Sequence, residues 1–454
     1  MVLGDLLSIP GGSRTVIEAA VPYSEESLSR FIGRIPEQCC CQRTSRYMAM
    51  TAFHRGLRYI RSRKAQIAEG LLDGTRSIDV SHDIDDIQFY ANPAASWTDE
   101  EDLDEYLHLI GIGCTASLVT NRSKKGEYRI HVAAQTLRRT VVFSLQLIKE
   151  ARTRWEEERL VADLILNVIE TTRLNTMNPI VVQGGPTTND ESTQVPAVEQ
   201  PLCNPFSLGT TDDFMLHEVV PLGLKEGEKV SGKLVIGSPP LVDLFFGKTW
   251  AVLWKNGEIR HFKLRKELPS SQPLLFNPQA EFTQAIFSGS FNPVHQGHLE
   301  MIDIAEHRLG SRVALEISVQ NVDKPPLDYI ELQYRLNEIE KARPDQAVWF
   351  TQTPLFEDKS ELFQGTTFIV GADTLRRFAD LRFYHESTHQ LHDVLRMIAF
   401  HNCRFLVFAR KNDEKIESLE TLRIPDMLRS LCDEIPPSEF AMNISSSDLR
   451  RKEF

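Results

Sequence analysis

The sequence predicts an α/β protein whose C-terminal part is a doubly wound parallel sheet. Short apolar runs predict strands at 284–288, 314–319, 348–352, 367–370 and 404–409, and helical patterns such as 329–343 and 388–400 lie between them. This alternation is typical of βαβ units, which build parallel sheets. Such sheets bind ligands beyond the carboxyl ends of their strands. We therefore expect the polar residues of a binding site just after the predicted strands.

The 454-residue chain is too long for one typical domain. We expect a separate N-terminal α/β domain at 1–172, a linker at 173–213, a small β segment at 214–275 and the C-terminal domain at 276–454. The linker is rich in Pro, Gly, Thr, Asn and Asp and has little periodicity. In the β segment, Asn256-Gly257 between apolar runs predicts a hairpin.

The N-terminal domain combines predicted helices and strands. We expect a helix at 45–57, a buried strand running into a glycine-bearing turn within 108–120, strands at 128–133 and 139–146, and a long helix from about 147 to 174. An acidic stretch at 79–105 is more typical of a solvated face than of a metal loop.

Composition limits the classes of partner. The chain has 51 Lys and Arg residues against 63 Asp and Glu, a net charge of −12, which argues against nucleic acid or an anionic membrane. Its 7 cysteines show no CxxC pair, which favours a reducing compartment. No apolar run reaches membrane length. We expect a cytoplasmic protein that binds neither nucleic acid nor membranes.

The most informative segment is 286–301, IFSGSFNPVHQGHLEM. It ends a predicted strand, turns at Gly289 and Ser290, and enters a predicted helix near 295–298. His295 and His298 are three residues apart and share one face of the first turn. Free N–H groups and the positive end of the helix dipole lie there too, so the segment predicts a phosphate site. The alternatives are a surface or capping pair, or half of a zinc site that lacks further ligands.

This segment resembles the GxFxPxHxGH motif of the nucleotidylyltransferase superfamily and, within it, the nicotinate and nicotinamide mononucleotide adenylyltransferases. The resemblance implies a Rossmann-like domain that moves AMP from ATP to a pyridine mononucleotide and releases pyrophosphate, in NAD biosynthesis. It places His295 and His298 on the transferred phosphoryl group, with the backbone of Gly289, Ser290 and Phe291 around it. Mg²⁺ bound through the ATP phosphates is the implied cofactor, with no metal site on the protein itself.

A second segment, ISSSDLR at 444–450, resembles the superfamily signature ISSTxxR. The resemblance implies that Ser445 and Ser446 bind the β- and γ-phosphates and that Arg450 clamps them. Serine hydroxyls, helix-start N–H groups and a guanidinium suit that task. The same spacing from Ser445 to Asp448 also predicts a capping box.

Three further positions follow predicted strands. IVGADT at 369–374 resembles the family's GxD segment, which implies that Gly371 and Asp373 lie near the nucleotide; the alternative for Asp373 is a helix N-cap. Lys324 stands where the family presents a phosphate-neutralising lysine. Arg410 matches a family arginine that reaches the nucleotide. An exposed loop lysine and a surface arginine are the alternatives.

One departure concerns the acceptor. The nicotinate mononucleotide enzymes often place a Trp after the GxD segment, to stack on the pyridine ring. Here residues 381–384 read LRFY. Stacking would fall to Phe383 or Tyr384.

The segment 8–33 resembles the C-terminal domain of competence/damage-inducible proteins, a family that includes nicotinamide mononucleotide amidases. The similarity extends through 44–50 and 111–117. Leu28 stands where the family has a lysine, so we expect this domain to be inactive. It remains a candidate for nucleotide binding through Gly111, Gly113, Thr115 and Ser117, or for homo-oligomer formation.

The leading hypothesis is an adenylyltransferase whose partners are ATP and a phosphorylated small-molecule acceptor. Two alternatives remain open. One is transfer of a cytidylyl or adenylyl group to another phosphorylated acceptor. The other is a non-catalytic nucleotide sensor or scaffold.

Overall fold

The structure is a computed structural model that describes residues 1–68, 106–121, 125–177, 206–207, 215–262, 284–320, 326–384, 386–412 and 415–440. Its helices are α1 (Val2–Leu7), α2 (Glu25–Phe31), α3 (Gln42–Ala68), α4 (Arg154–Met177), α5 (Pro239–Phe246), α6 (Gln296–Leu309), α7 (Tyr329–Ala342), α8 (Phe356–Leu362), α9 (Ala372–Phe378), α10 (Thr388–Phe400) and α11 (Asp426–Ser430). None of these described helices is long and apolar enough to cross a membrane.

The strands are β1 (Gly111–Ser117), β2 (Tyr128–Gln135), β3 (Arg139–Leu147), β4 (Phe206–Ser207), β5 (Val230–Gly237), β6 (Ala251–Lys255), β7 (Glu258–Phe262), β8 (Ala285–Ser288), β9 (Val313–Ser318), β10 (Val348–Thr351), β11 (Thr367–Gly371), β12 (Arg404–Phe408), β13 (Arg410–Asn412), β14 (Lys415–Glu417) and β15 (Cys432–Ile435). Strands β13 and β14 form a small ribbon, and the others form two larger sheets.

The N-terminal sheet is antiparallel, with the order β1-β2-β3-β5-β4. Helix α3 packs directly on β1. A Cβ atom at Gly113 would lie 2.1 Å from the Ser45 carbonyl oxygen, and one at Gly111 would lie 2.3 Å from that of Ala49. The prediction of a glycine-bearing turn here was therefore wrong. Both glycines lie in a strand, where they let a helix approach closely.

The long helix of this unit begins later than predicted. Leu147 still belongs to β3, where it pairs with Tyr128. Helix α4 begins at Arg154, after a reciprocal cap in which the Thr153 N–H donates to Glu156 Oε2 at 2.7 Å. The Glu156 N–H in turn donates to Thr153 Oγ1 at 3.4 Å. The cap at Thr153 therefore fixes where α4 begins. The apolar periodicity continued across this point, so it placed the start of the helix too early.

The C-terminal sheet has the order β15-β12-β11-β8-β9-β10-β6-β7. Within the described chain, β8 to β12 and β15 pair in parallel. Taken from β8, their order is the doubly wound 3-2-1-4-5-6, and the winding direction switches between β8 and β11. The predicted fold class, a doubly wound parallel sheet preceded by a separate N-terminal α/β region, is confirmed.

The strand-rich segment predicted at 214–275 is divided between the two sheets. Strand β5 pairs with β3 of the N-terminal sheet, and the β6–β7 hairpin extends the C-terminal sheet by antiparallel pairing with β10. Asn256 and Gly257, with φ of 53° and 79°, make the predicted hairpin turn. The described part of this segment, residues 215–262, thus contributes strands to both sheets, and residues 251–254 are buried.

The two sheets meet at the start of α7. The buried Tyr329 hydroxyl donates to the Leu137 carbonyl oxygen at 2.6 Å, and the Tyr329 N–H donates to Thr140 Oγ1 at 3.0 Å. The ring packs against Phe245, with centroids 4.4 Å apart, and against Gly237. The first turn of α7 is therefore buried against the N-terminal unit, by which we mean the N-terminal sheet and its helices.

The Tyr329 hydroxyl tests this contact. Tyr329→Phe should lower the free energy of unfolding by about 1–3 kcal/mol, because a buried carbonyl loses its donor. Chemical denaturation of the full chain measures the change. Tyr23→Phe is the matched control, since Tyr23 is 88% exposed, and it should stay within about 0.5 kcal/mol of the wild type. Equal stability of Tyr329→Phe and the wild type would contradict the contact.

Candidate functional site

The turn between β8 and α6 is built around a buried phenylalanine. Phe291 is fully buried and has a φ of +43°. A Cβ atom at Gly289 would lie 2.8 Å from the Phe291 ring, so glycine lets the chain fold over that ring. The Gly289 N–H donates to the Glu316 carbonyl oxygen at 3.0 Å, which ties the turn to β9. Ser290 stays exposed at the tip.

His295 and His298 lie where α6 begins. His295 is the N-cap residue and His298 is in the first turn. Their rings stack with centroids 3.7 Å apart and planes 20° from parallel. The His298 ring also meets the edges of Phe287 and Phe291, at centroid distances of 5.8 and 5.1 Å. The predicted histidine pair is therefore one packed unit at the carboxyl end of β8.

Both imidazoles are neutral near pH 7. Burial and the neighbouring His295 lower the pKa of His298 to about 3. Burial and the charge of Arg410 also lower the pKa of His295. His298 Nδ1 accepts a hydrogen bond from the His295 N–H at 3.2 Å. The neutral His298 ring therefore carries its proton on Nε2, which makes that nitrogen a donor.

Strands β11 and β12 bring an ion pair to the same edge of the sheet. Asp373 lies in the first turn of α9, and Arg410 follows β12. Arg410 Nη1 donates to Asp373 Oδ2 at 2.6 Å. Gly371 is the N-cap of α9, so the N-cap interpretation of Asp373 was wrong. Together with burial, the positive charge of Arg410 lowers the pKa of His295.

Several polar atoms at this edge are buried without a hydrogen-bond partner in the described chain. They are Ser288 Oγ in the last residue of β8, Ser318 Oγ in the last residue of β9, Gln320 Oε1 after β9, Thr353 Oγ1 after β10, and His295 Nδ1. Buried polar atoms normally have hydrogen-bond partners. A polar ligand bound here would supply the partners that these atoms lack within the described chain. Their position at the carboxyl ends of neighbouring parallel strands agrees with the location of ligand sites in doubly wound sheets.

Four predicted site residues lie outside the described residues: Lys324, Ser445, Ser446 and Arg450. Their roles stay predictions. Within the described ranges, no group of three His, Cys, Asp or Glu side chains is arranged to hold a metal ion.

A pocket lies beside Asp373, and the next residue, Thr374, is part of its wall. The wall is formed by the residues at and before the start of α8, by α9, by the short 3₁₀ turn at Leu381–Tyr384 and by α10. The lining residues are Pro354, Leu355, Phe356, Glu357, Thr374, Arg377, Phe378, Phe383, Tyr384 and Val394. The histidine pair does not line it. The Tyr384 hydroxyl donates to the Phe378 carbonyl oxygen at 2.9 Å, which fixes its ring in the wall. Phe383, under the Arg377 guanidinium, is half-buried.

The C-terminal part of the chain matches a known protein family. Residues 286–452 match the family described as cytidylyltransferase-like, which belongs to the nucleotidyltransferase superfamily. These residues form a cytidylyltransferase-like domain. The match supports nucleotidyl transfer as the general activity of this domain. A comparison with curated proteins gave no match. The resemblance of residues 1–172 to the competence/damage-inducible family stays a prediction.

The sequence analysis did not single out several polar residues of the candidate site. Gln320 and Thr353 come directly after the predicted strands 314–319 and 348–352, and Ser318 lies near the end of the first; these positions were the signal that could have found them. Asn292 lies within the motif, and its side chain donates to the buried carboxylate of Glu331 on α7. Glu331 gave no signal, because a glutamate in an amphipathic helix normally faces solvent.

The protonation state of His298 gives a direct test. NMR of ¹⁵N-labelled imidazole should show the neutral Nε2–H tautomer from pH 8 down to pH 5. The unfolded chain should titrate near ~6.5. Because the unfolded chain binds this proton more readily, the His298 contribution lowers the free energy of unfolding as pH falls from about 6.5 towards 3. A cationic His298 in the folded protein at pH 6 would contradict this assignment.

Proposed function

We propose that the cytidylyltransferase-like domain transfers AMP from ATP to nicotinate or nicotinamide mononucleotide and releases pyrophosphate, a step of NAD biosynthesis. The observation that carries the proposal is the convergence of groups at the switch point. The histidine pair after β8, Gly371 at the end of β11, Asp373 just after it, and Arg410 after β12 all reach one edge of one sheet. The adenylyltransferase resemblance assigns these positions to the nucleotide, together with the turn at Gly289, Ser290 and Phe291.

The proposed reaction is an in-line displacement at the α-phosphorus of ATP. An oxygen of the acceptor phosphate forms the new bond to that phosphorus. The bond from phosphorus to the bridging oxygen breaks, and pyrophosphate leaves with the electron pair. Because the attacking oxygen is already anionic, the step needs no general base. Catalysis then depends on placing the two reactants in line and on neutralising charge.

The residues of the turn fit these tasks. His298 Nε2–H is a fixed donor, aimed by the hydrogen bond at Nδ1, for an oxygen of the transferred phosphoryl group. The N–H groups of Ser290 and Phe291 and those at the start of α6 are proposed to bind the phosphates. Gly289 lines the same turn, while its own N–H is bonded to the Glu316 carbonyl oxygen. Lys324, Ser445, Ser446 and Arg450 are proposed to bind the remaining phosphate oxygens. Mg²⁺, carried by the ATP phosphates, would neutralise further negative charge.

Neutral imidazoles suit this arrangement. Two rings whose centroids are 3.7 Å apart would repel each other if both carried a charge, and burial opposes charging either one. As neutral rings they still donate N–H bonds, which can strengthen as charge develops on the phosphoryl oxygens. Arg410 supplies a positive charge close enough to lower the pKa of His295.

The pocket beside α9 is the proposed seat of the acceptor base. It starts next to Asp373 and offers the ring of Phe383 for stacking, in the place where the resemblance leads us to expect a Trp. A flat heteroaromatic ring stacks favourably on such a face.

A second candidate function is transfer of a cytidylyl group to another phosphorylated acceptor. The description of the matched family as cytidylyltransferase-like supports this candidate.

The first experiment tests the reaction. The purified protein is incubated with Mg²⁺, with either ATP or CTP, and with a panel of phosphorylated acceptors. We expect pyrophosphate and a dinucleotide when ATP is combined with a pyridine mononucleotide. His298→Asn should lower kcat by about 100-fold or more, since it removes a preorganised donor. His307→Asn, an exposed position on the same helix, is the matched control and should leave kcat unchanged.

Two other results are informative. Product only with CTP or with another acceptor would replace the proposed substrates by the second candidate. Tight ATP binding with no pyrophosphate from any acceptor would sink the catalytic proposal in favour of a nucleotide sensor.

The acceptor pocket has its own test. Phe383→Ala should raise KM for the pyridine mononucleotide by about tenfold, because one base–aromatic stack contributes about 1–3 kcal/mol. KM for ATP should stay the same. Phe400→Ala removes a phenylalanine that is 85% exposed and serves as the control. An unchanged KM for the acceptor in Phe383→Ala would remove this pocket from the site.

A further inference from the structure

One buried carboxylate joins the phosphate-binding turn to the N-terminal unit. Glu331 lies in the first turn of α7 and is 3% exposed. Its Oε1 accepts from the side-chain amide of Asn292, which lies between Phe291 and the histidine pair, and from Arg335 Nη2 at 3.1 Å. The other oxygen, Oε2, accepts from Arg46 Nη2 at 3.3 Å.

Arg46 comes from α3 of the N-terminal unit, and it too is buried. Its second nitrogen, Nη1, donates to Asp328 Oδ1 at 2.6 Å. The same Asp328 oxygen accepts the Glu331 N–H at 2.9 Å and thereby caps α7. One guanidinium therefore holds both carboxylates at the start of α7, immediately after the segment that carries Lys324.

Charge balance makes Arg46 hard to replace. Burial alone would raise the pKa of Glu331, but the charges of Arg335, Arg46 and Arg43 lower it to about 2, so the group stays ionised. Asp328 and Glu331 face two fully buried cations, Arg46 and Arg335; Arg43 is partly exposed and 3.9 Å from Glu331. Without Arg46, two buried carboxylates would share one buried guanidinium. Such an uncompensated charge is costly, so Glu331 must move or take up a proton.

Either response changes the hydrogen bond to Asn292. A Glu331 side chain that turns towards water or Arg43 withdraws Oε1 from the amide. Asn292 lies three residues before His295 and is 6% exposed. A turn that has lost the bond to Glu331 is held less firmly, and small shifts of groups that align two reactants cost large factors in rate.

We propose that Arg46 is a positioning residue for the nucleotidyl-transfer site, acting through Glu331 and Asn292 on the turn that carries His295 and His298. The N-terminal unit thus helps to support the turn that carries the histidine pair. The kinetic part of this inference rests on the proposed function. The mechanical part, an effect of Arg46 on the turn, does not.

Hydrogen exchange on the full chain tests the mechanical part. In Arg46→Met, peptides covering 288–300 should exchange about tenfold faster than in the wild type, the scale of coupling seen between residues of one buried network. Arg55→Met is the matched control. It removes another Arg–Glu pair of α3, in which Arg55 Nε donates to Glu18 Oε2 at 2.7 Å, but this pair lies wholly within the N-terminal unit. Exchange at 288–300 should not change in that variant.

Arg46→Lys covers the case in which Arg46→Met does not fold. Lysine keeps the charge but cannot bond both carboxylates with one planar fork. It should give an intermediate increase in exchange at 288–300. A general loss of stability with unchanged relative protection of 288–300, in either variant, would show that Arg46 only joins the two units and would overturn the proposal.

A double-mutant cycle tests the route through Asn292. Arg46→Met and Asn292→Ala should each lower kcat/KM by about tenfold, and the double variant should be little worse than either single one, since both break the same connection. If the decreases in kcat/KM of the two single variants multiply in the double variant, the proposed route through Asn292 is wrong. If the wild type proves to catalyse no transfer, the proposed function fails, and the same cycle measured by exchange at 288–300 still decides the inference.

Discussion

The requirement that a buried charge be neutralised organises the centre of this protein. The Glu331 carboxylate is out of reach of bulk water, so it persists as an anion only while its lone pairs are held by donors. Those donors come from three parts of the chain: the turn after β8, the body of α7, and α3 of the N-terminal unit. All three donors reach Glu331 only when the turn, α7 and the N-terminal unit keep the relative positions seen in this structure. Apolar packing around Tyr329 and Phe245 adds to the contact but carries no comparable directional requirement.

The candidate site is organised by a different electrostatic choice. Its two histidines stack on each other as neutral rings, and His298 also packs against Phe287 and Phe291. Among the described residues, the Arg410–Asp373 pair contributes charges nearby. A site of this kind offers directed donors in place of a dense positive charge, which agrees with an acidic chain that needs only local affinity for phosphate. It also explains why the turn must be rigid, because directed donors act only while their geometry is kept.

Local sequence signals predicted what local chemistry decides. The Asn256-Gly257 hairpin and the turn between β8 and α6 were predicted because a few adjacent residues specify them. Partners far apart in sequence were not: β6 pairs with β10, and Glu331 meets Arg46, through contacts that leave no local pattern. Gly111 and Gly113 misled, because glycine signals both a turn and a close helix contact. The onset of α4 was misplaced because apolar periodicity continued from β3 into the loop before the cap at Thr153. The roles of the four predicted residues outside the described ranges rest on the sequence alone.

The proposed function requires that one nucleotide bind at the switch point between β8 and β11. The most direct test is a crystal structure of the full chain with Mg²⁺ and a non-hydrolysable ATP analogue. We expect the triphosphate at the start of α6, with an α-phosphate oxygen about 3 Å from His298 Nε2. It also predicts that the adenosine faces the ends of β11 and β12. A triphosphate bound elsewhere, or side chains that fill the space between His298 and Arg410, would contradict it.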